Sequence, residues 1–160
     1  MLFRLPGSAG GLYATVTDLT ANACELCDSM GGALLWQDSL CRVVQVDDPD
    51  YPGFCRVILA RHVKEMTDLS ATQRARLMQV VFATETALRE LARPDKMNLA
   101  SLGNVVPHLH WHVIPRYRDD RHFPRPVWAE PARSRIATDA ARASAPDHRA
   151  LAAILQRELS

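Results

Sequence analysis

The chain lacks a long hydrophobic run, a marked excess of charge of one sign, and an abundance of cysteine. Its 19 Lys and Arg residues nearly balance its 18 Asp and Glu residues. This balance argues against electrostatic binding to nucleic acids or acidic membranes, so we expect neither as a partner. No apolar segment is long enough to span a bilayer, and residues 1–11 lack the apolar centre of a signal peptide. We therefore expect a cytoplasmic protein whose four cysteines are thiols or metal ligands.

A chain of 160 residues with 48% hydrophobic content is suited to one globular domain with a real core. The glycine-containing stretch 1–19 has no sustained period and predicts an N-terminal arm. Residues 20–116 form the principal domain. Beyond them, 117–160 predicts a C-terminal tail, in which the spacing of Leu151, Ile154 and Leu155 indicates a short terminal helix. His122 and His148 lie in polar surroundings and are expected at the surface.

The order of predicted elements indicates an α+β domain built around an antiparallel sheet. Ser70 and Gln73 match a capping box at the start of one long helix, which Pro94 ends. Apolar residues recur along this helix at spacings of three and four. Runs rich in apolar residues predict five strands, at 33–37, 41–46, 54–60, 96–102 and 109–114. The last two are expected to pair as a hairpin.

Three histidines alternate with apolar residues in a run bounded by Pro107 and Pro115. On a β-strand, alternate side chains share a face, so His108, His110 and His112 would form a row. Leu109, Trp111 and Val113 would point into the core. The two prolines bracket the run, as suits residues that cannot continue a central ladder.

Two chemistries use such a row, and its spacing alone leaves both open. Neutral imidazoles can bind a catalytic metal, which needs about three protein ligands. Alternatively, one imidazole can be a nucleophile toward phosphorus while its neighbours manage charge and protons. A purely structural row is the third reading. The preceding turn at Gly103-Asn104 offers amide donors for phosphate oxygens, which favours the phosphorus chemistry.

The segment from His108 to Ile114 resembles the signature of the histidine triad (HIT) nucleotide hydrolases and transferases. The resemblance covers roughly Cys24 to Pro115, including Asn98, Gly103 and the long helix after Asp68-Leu69-Ser70. It implies a HIT-like α+β fold, with a five-stranded antiparallel meander sheet and one long helix. It further implies that the sheet extends across a homodimer and that the substrate is a nucleotide conjugate.

The same resemblance implies roles for individual residues. His110 would be the nucleophile that attacks the α-phosphate, and His112 would hydrogen-bond the phosphate or the leaving-group oxygen. Asn98 and Asn104 match positions that contact phosphate or steer the leaving group, and Asp47 lies where ribose hydroxyls are often held. The alternative for these last three is capping of ordinary turns and strand ends.

Two positions depart from the pattern of the family. Phe54 stands where many members have a further histidine, after the Pro-Gly turn. Val105 replaces a serine or threonine that some branches place before the triad. Both changes leave the nucleophile in place and bear on substrate preference.

Cys24 and Cys27 have the spacing that lets two thiolates reach one tetrahedral zinc. A subset of HIT proteins is similar here, which implies that His62 and His108 complete a structural zinc site. The alternative is a pair of reduced thiols. Cys41 and Cys55 lie in predicted strands and are expected in the core. No organic cofactor is expected.

Trp128 lies in a proline-bounded segment and could fold over the nucleotide site of its own or a partner subunit, or could anchor a loose tail. The leading functional prediction is hydrolysis or nucleotidyl transfer at the α-phosphate of conjugates such as dinucleoside polyphosphates or nucleoside phosphoramidates. The alternatives are a nucleotide-binding regulatory protein with little turnover, and a zinc-dependent hydrolase that uses the histidine row.

Overall fold

The structure is a computed structural model that describes residues 24–134 and 145–160. The predicted N-terminal arm at 1–19 lies outside the described residues. Within those two ranges, no helix combines the length and the hydrophobicity needed to cross a bilayer.

The described residues form one five-stranded antiparallel sheet with three helices. The helices are α1 (Glu25–Asp28), α2 (Ala71–Ala92) and α3 (His148–Leu159), and a single 3-10 turn lies at Met66–Asp68. The strands are β1 (Ala33–Gln37), β2 (Cys41–Gln45), β3 (Cys55–Leu59), β4 (Lys96–Ala100) and β5 (His110–Arg116). Their order in the sheet is β1-β2-β3-β5-β4. The meander therefore runs from β1 to β3, and the predicted β4–β5 hairpin joins it through β5.

The long helix begins and ends where its sequence predicts. The Ser70 side chain accepts a hydrogen bond from the Gln73 amide, and the Gln73 side chain accepts one from the Ser70 amide. At the other end, Arg93 adopts the left-handed conformation immediately before Pro94, which cannot continue a helix. Between these ends, one side of α2 is fully buried, including Leu77, Val81 and Leu88.

The two faces of the sheet have different roles. One face packs against α2 and α3 in the main core, to which Val57, Val113 and Leu155 contribute. The opposite face carries two small apolar clusters. The first contains Leu26 and Ile58 with Cys24 and Val44, and the second contains Tyr51, Phe54 and Ile114. Between these clusters, the opposite face carries the side chains of His110 and His112.

The segment that follows β5 is held by a buried ion pair. Both Nε and one Nη of Arg116 donate to the carboxylate of Asp120, at 2.6 and 3.1 Å. The same carboxylate accepts from the backbone N–H groups of Tyr117, His122 and Phe123. Residues 117–123 thereby form a tight turn against the end of the sheet.

The prediction that His122 is exposed is wrong. Its ring is buried, stacks on Tyr51 and hydrogen-bonds to the Tyr51 hydroxyl. The turn around Asp120 carries the imidazole back onto the sheet, although the flanking residues are polar. His148 is half-buried at the start of α3, where Nδ1 lies 3.2 Å from the Gln45 side-chain oxygen.

Two expectations about the histidine strand need correction. β5 begins at His110, so His108 precedes the strand and its ring leaves the expected row. The strand also continues through Pro115, which pairs with Met97 of β4. The sheet tolerates a proline at this position because the pairing of β3 with β5 ends at Cys55 and Val113. The missing N–H of Pro115 therefore falls where β5 has only one neighbouring strand.

Candidate active site and metal centre

Four side chains converge beside the start of β5 in the arrangement that a metal ion requires. The ligand atoms of Cys24, Cys27, His62 and His108 all lie within 4.8 Å of one another. Nδ1 of His108 is 3.4 Å from each thiol sulfur, and Nδ1 of His62 is 3.4 Å from Cys27 Sγ. Tetrahedral zinc, with its usual bond lengths, separates sulfur and nitrogen ligands by about 3.6 Å. The four residues therefore fit zinc in both donor type and spacing.

The local backbone holds the two cysteines in this position. Cys24 precedes α1, and its carbonyl accepts from the Cys27 amide at 2.8 Å, which closes the turn between the two thiols. Arg42 on β2 donates to the carbonyls of Leu26, Ser29 and Met30. This arginine therefore ties the cysteine turn to the sheet.

The tautomer of His108 suits a metal ligand. Its Nε2 lies 2.8 Å from the Leu59 carbonyl, and a carbonyl oxygen only accepts, so Nε2 carries the proton. The lone pair of Nδ1 then faces the two thiols. Burial lowers the pKa of His108, which keeps the ring neutral, the form in which imidazole binds metals.

His110 is oriented by the backbone just before its own strand. Its Nδ1 lies 2.5 Å from the His108 carbonyl, so Nδ1 donates and Nε2 is left with a free lone pair. The Ser101 hydroxyl donates to the His110 carbonyl at 2.8 Å. Burial lowers the pKa of the His110 ring, opposed by the bond to His108 and assisted by the positive charge of Arg56. A neutral imidazole with a free Nε2 can act as a nucleophile.

His112 is enclosed by aromatic side chains. Its ring stacks on Phe54 with centroids 5.5 Å apart, and Trp128 and His110 meet it edge-on at 5.5 and 4.8 Å. Burial lowers its pKa to about 4, with smaller contributions from the charges of His110 and Arg56. Its Nδ1 is buried without a hydrogen-bond partner among the residues that the structure describes.

Two predicted substrate residues lie close to this pair of histidines. Asn98 on β4 accepts a hydrogen bond at 2.6 Å from Arg116 through its side-chain oxygen, which leaves its NH₂ group to donate. Trp128 is 53% exposed, so one side of its ring contacts His112 and the rest is open to a ligand. Asn98 and Trp128, together with Lys96, line a cavity of about 430 Å³.

The other two predicted substrate residues are not joined to the two histidines. Asn104 is exposed in the loop before His108, and Asp47 is exposed after β2. No hydrogen bond joins either side chain to His110 or His112 in the part of the chain that the structure describes. Asp47 lines a separate cavity of about 440 Å³ together with Gly53.

Sequence reasoning missed two arginines of the site. Arg56 lies opposite His112 across the β3–β5 pair, and Arg116 orients Asn98. The histidine motif does not predict either residue as part of the site, because the positions of both depend on strand register. The sequence gives one indication of Arg56, which is a basic residue within the third apolar strand.

The family follows from comparison with known proteins. The HIT domain family matches residues 31–119, more than half of the chain, and the protein therefore belongs to the HIT family. A histidine triad protein from Bradyrhizobium japonicum is 31% identical with a TM-score of 0.63, covering 82% of this chain and 92% of that one. One from Marinobacter aquaeolei VT8 is 32% identical with a TM-score of 0.60, covering 81% and 90%.

Two further relatives carry more informative names. A zinc-bound histidine triad family protein from Mycobacterium smegmatis shares the fold, at 24% identity and a TM-score of 0.58, covering 84% of this chain and 94% of that one. The AP-4-A phosphorylase of Mycobacterium tuberculosis is 31% identical over an alignment of 81 positions that covers 47% of this chain. The chain spans only 42% of that relative's length.

Proposed function

We propose that the protein is a hydrolase or nucleotidyl transferase acting at the α-phosphate of nucleotide conjugates, such as dinucleoside polyphosphates or nucleoside phosphoramidates. One observation carries this proposal. The bond from His110 Nδ1 to the His108 carbonyl, at 2.5 Å, fixes the tautomer whose Nε2 is a free lone pair. That nitrogen lies on the face of the sheet that α2 and α3 leave uncovered.

In this reaction, Nε2 of His110 forms a bond to the α-phosphorus while the bond from phosphorus to the leaving group breaks. An amine leaving group takes a proton from solvent, whereas a polyphosphate leaves as the anion, and the nucleotide stays on His110 as a covalent intermediate. His112 hydrogen-bonds a phosphate or leaving-group oxygen, and the NH₂ group of Asn98 donates to another. Water or a second acceptor then attacks phosphorus and frees His110.

We assign further substrate roles to three exposed residues. Asn104 would donate to phosphate from the loop before His108, and Asp47 would hold ribose hydroxyls. Trp128 would cover the ligand beside His112. Similarity to an AP-4-A phosphorylase over 81 residues supports a nucleotide substrate. The acceptor of the second step is either water or another nucleophile.

The cluster of Cys24, Cys27, His62 and His108 is proposed to hold a structural zinc ion. When bound, the ion would supply a fixed link between the α1 turn and the start of β5. The alternative in which the whole histidine row binds a catalytic metal is disfavoured, because His108 turns its Nδ1 to the thiols. His110 and His112 then remain for the reaction.

We further infer a homodimer and a cytoplasmic location. β4 is an edge strand of the sheet, and an edge strand can pair with a second copy. None of the four cysteines forms a disulfide in the part of the chain that the structure describes, as is usual for a reducing compartment.

A trapping experiment tests the proposed reaction. Wild-type protein mixed with a nucleoside phosphoramidate and quenched in base should carry a nucleotide adduct on His110, located by peptide mass spectrometry. His110→Ala should show no adduct and a loss of turnover of about a thousandfold or more, with unchanged zinc content and circular dichroism. Turnover that survives this substitution contradicts the proposal. Tight nucleotide binding without turnover in the wild type would instead support the regulatory alternative.

A further inference from the structure

We propose that Arg56 binds a second phosphate group of the substrate, distinct from the phosphate that His110 attacks. This inference rests on the proposed function, since His110 and His112 define where the first phosphate lies. Among the proposed substrates, it favours nucleotides that carry at least two phosphate groups.

The register of the sheet places Arg56 beside the reactive histidines. Arg56 of β3 pairs with His112 of β5, and the next pair on the same face is Ile58 with His110. Side chains of directly paired residues lie on one face with Cβ atoms about 5 Å apart. The guanidinium carbon also lies 5.5 Å from the Phe54 ring, which stacks on His112. The cation therefore belongs to the same site as the two imidazoles.

Apart from the Phe54 ring, the positive charge of Arg56 has no hydrogen-bond or ion-pair partner in the described residues. Its Nε is buried without a hydrogen bond, and no carboxylate forms an ion pair with it there. Three other arginines that the structure describes as half-buried or buried do have such partners. Arg42 donates to three carbonyls, Arg76 pairs with Asp38, and Arg116 pairs with Asp120. Because a buried polar group without a partner is costly, the orphaned Nε of this half-buried side chain indicates a site that an anion completes.

The chemistry of the group favours phosphate as this anion. The planar guanidinium matches phosphate with two parallel N–H donors, and such charge-assisted bonds are the strong ones. Burial, with a smaller contribution from the charge of Arg56, lowers the pKa of His112, so this imidazole adds no competing positive charge. The site thus combines one fixed cation with two neutral rings.

The position along the strand separates this phosphate from the one under attack. Apolar Ile58, not Arg56, lies directly opposite the nucleophile His110. Arg56 lies two residues further along its strand, about 6–7 Å away at Cα. A phosphorus in line for attack must lie about 3–3.5 Å from Nε2 of His110. The guanidinium therefore serves a phosphate on the His112 side of the reacting centre, either in the 5′ polyphosphate chain or on the ribose.

Calorimetric titration of the full-length protein with four ligands tests this assignment. The ligands are AMP, ADP, adenosine 2′,5′-bisphosphate and adenosine 3′,5′-bisphosphate. We expect the wild type to bind at least one of the three doubly phosphorylated ligands about tenfold or more tightly than AMP. Arg56→Met should abolish that advantage while changing AMP affinity less than threefold, and Arg56→Lys should retain part of it. The preferred ligand identifies whether the second phosphate lies on the 5′ chain or on the ribose.

Arg89→Met is the matched control, because it removes one exposed arginine from α2, on the covered side of the sheet. It should preserve the preference. The assignment is overturned if all four ligands bind the wild type equally, or if Arg56→Met weakens AMP as much as the others. Because these titrations need no turnover, they separate the two proposals. If the doubly phosphorylated ligands are preferred but no substrate is turned over, only the proposed reaction is contradicted. If substrate is turned over but AMP binds as tightly as the other ligands, only the role of Arg56 is contradicted.

Discussion

Trp128 meets His112 edge-on, with ring centroids 5.5 Å apart and an interplanar angle of 82°. Phe54 stacks on the same imidazole at 5.5 Å and 25°. His112 is thus held between an aromatic ring from the start of β3 and one from the segment after β5. Because Trp128 is in contact with the histidine of its own subunit, it needs no partner chain to reach the site.

Trp128→Ala is expected to lower kcat/KM by up to about tenfold. An aromatic contact of this kind contributes about 0.5–1.5 kcal/mol, and 1.4 kcal/mol corresponds to a factor of ten. The melting temperature should change little, since the side chain is 53% exposed. Trp128→Phe should retain most of the activity because it keeps an aromatic edge against His112. Equal kinetics for Trp128→Ala and the wild type would remove Trp128 from the substrate site.

The buried ion pair of Arg116 and Asp120 holds the segment that leads to Trp128. Their side chains are 3% and 5% exposed, and Asp120→Asn would leave the guanidinium charge buried without its counter-ion. Breaking a buried pair in this way costs about 3–5 kcal/mol. For a chain of this size, the melting temperature should fall by roughly 10 °C.

Asp95→Asn provides the matched control for this prediction. It breaks the pair of Arg118 and Asp95, whose side chains are 84% and 42% exposed. A surface pair of this kind contributes less than about 1 kcal/mol. Differential scanning calorimetry of the two variants should show a large difference between them. A similar, small effect of both substitutions would mean that the buried pair is not important for stability.

The elements of the fold could be predicted because each depends on local sequence. The capping box of Ser70 and Gln73, together with Pro94, defines α2, and runs rich in apolar residues define the strands. The position of the His108 side chain could not be predicted in the same way. Its ring leaves the row because Leu59, 49 residues away, accepts from Nε2 and turns Nδ1 toward the cysteines.

Long-range register explains the remaining omissions at the site. The pairing of Arg56 with His112 joins two strands that are separated by the whole of α2 and β4. Nothing in a motif of seven residues identifies that neighbour. Likewise, Arg116 and Asp120 look like ordinary surface charges in sequence. Only the turn that buries them, and its backbone donors to Asp120, reveals that they hold the segment leading to Trp128.

The metal cluster makes a direct analytical prediction. Purified protein should contain about one zinc ion per chain by plasma mass spectrometry, and Cys27→Ser should lower this content strongly. Removal of a structural ion costs a few kcal/mol, so the melting temperature should fall by about 5–10 °C. Cys41→Ser is the control. Burial raises the pKa of the Cys41 thiol to about 12, and this side chain lies outside the cluster. If Cys27→Ser kept the zinc content of the wild type, Cys27 could not be a ligand.

The buried imidazole of His112 predicts a specific loss of stability in mild acid. Burial lowers its folded-state pKa from 6.5 to about 4, so between these values the unfolded chain binds more protons. Stability then rises with pH across this window and falls as the pH drops from about 6.5 toward 4. Between pH 7 and pH 5, the contribution of His112 to the unfolding free energy should decrease by about 2 kcal/mol.

Denaturant unfolding at pH 7 and pH 5 measures this effect in the wild type and in His112→Asn. The proposed zinc ligands Cys24, Cys27, His62 and His108 are unchanged in the variant, so any effect of acid on them is common to both proteins. The difference between the two pH dependences therefore isolates His112. We expect the wild type to lose about 2 kcal/mol more than His112→Asn over this interval. Identical losses in both proteins would show that the imidazole is solvated enough to titrate normally, and Trp128 and Phe54 would then not shield it from water.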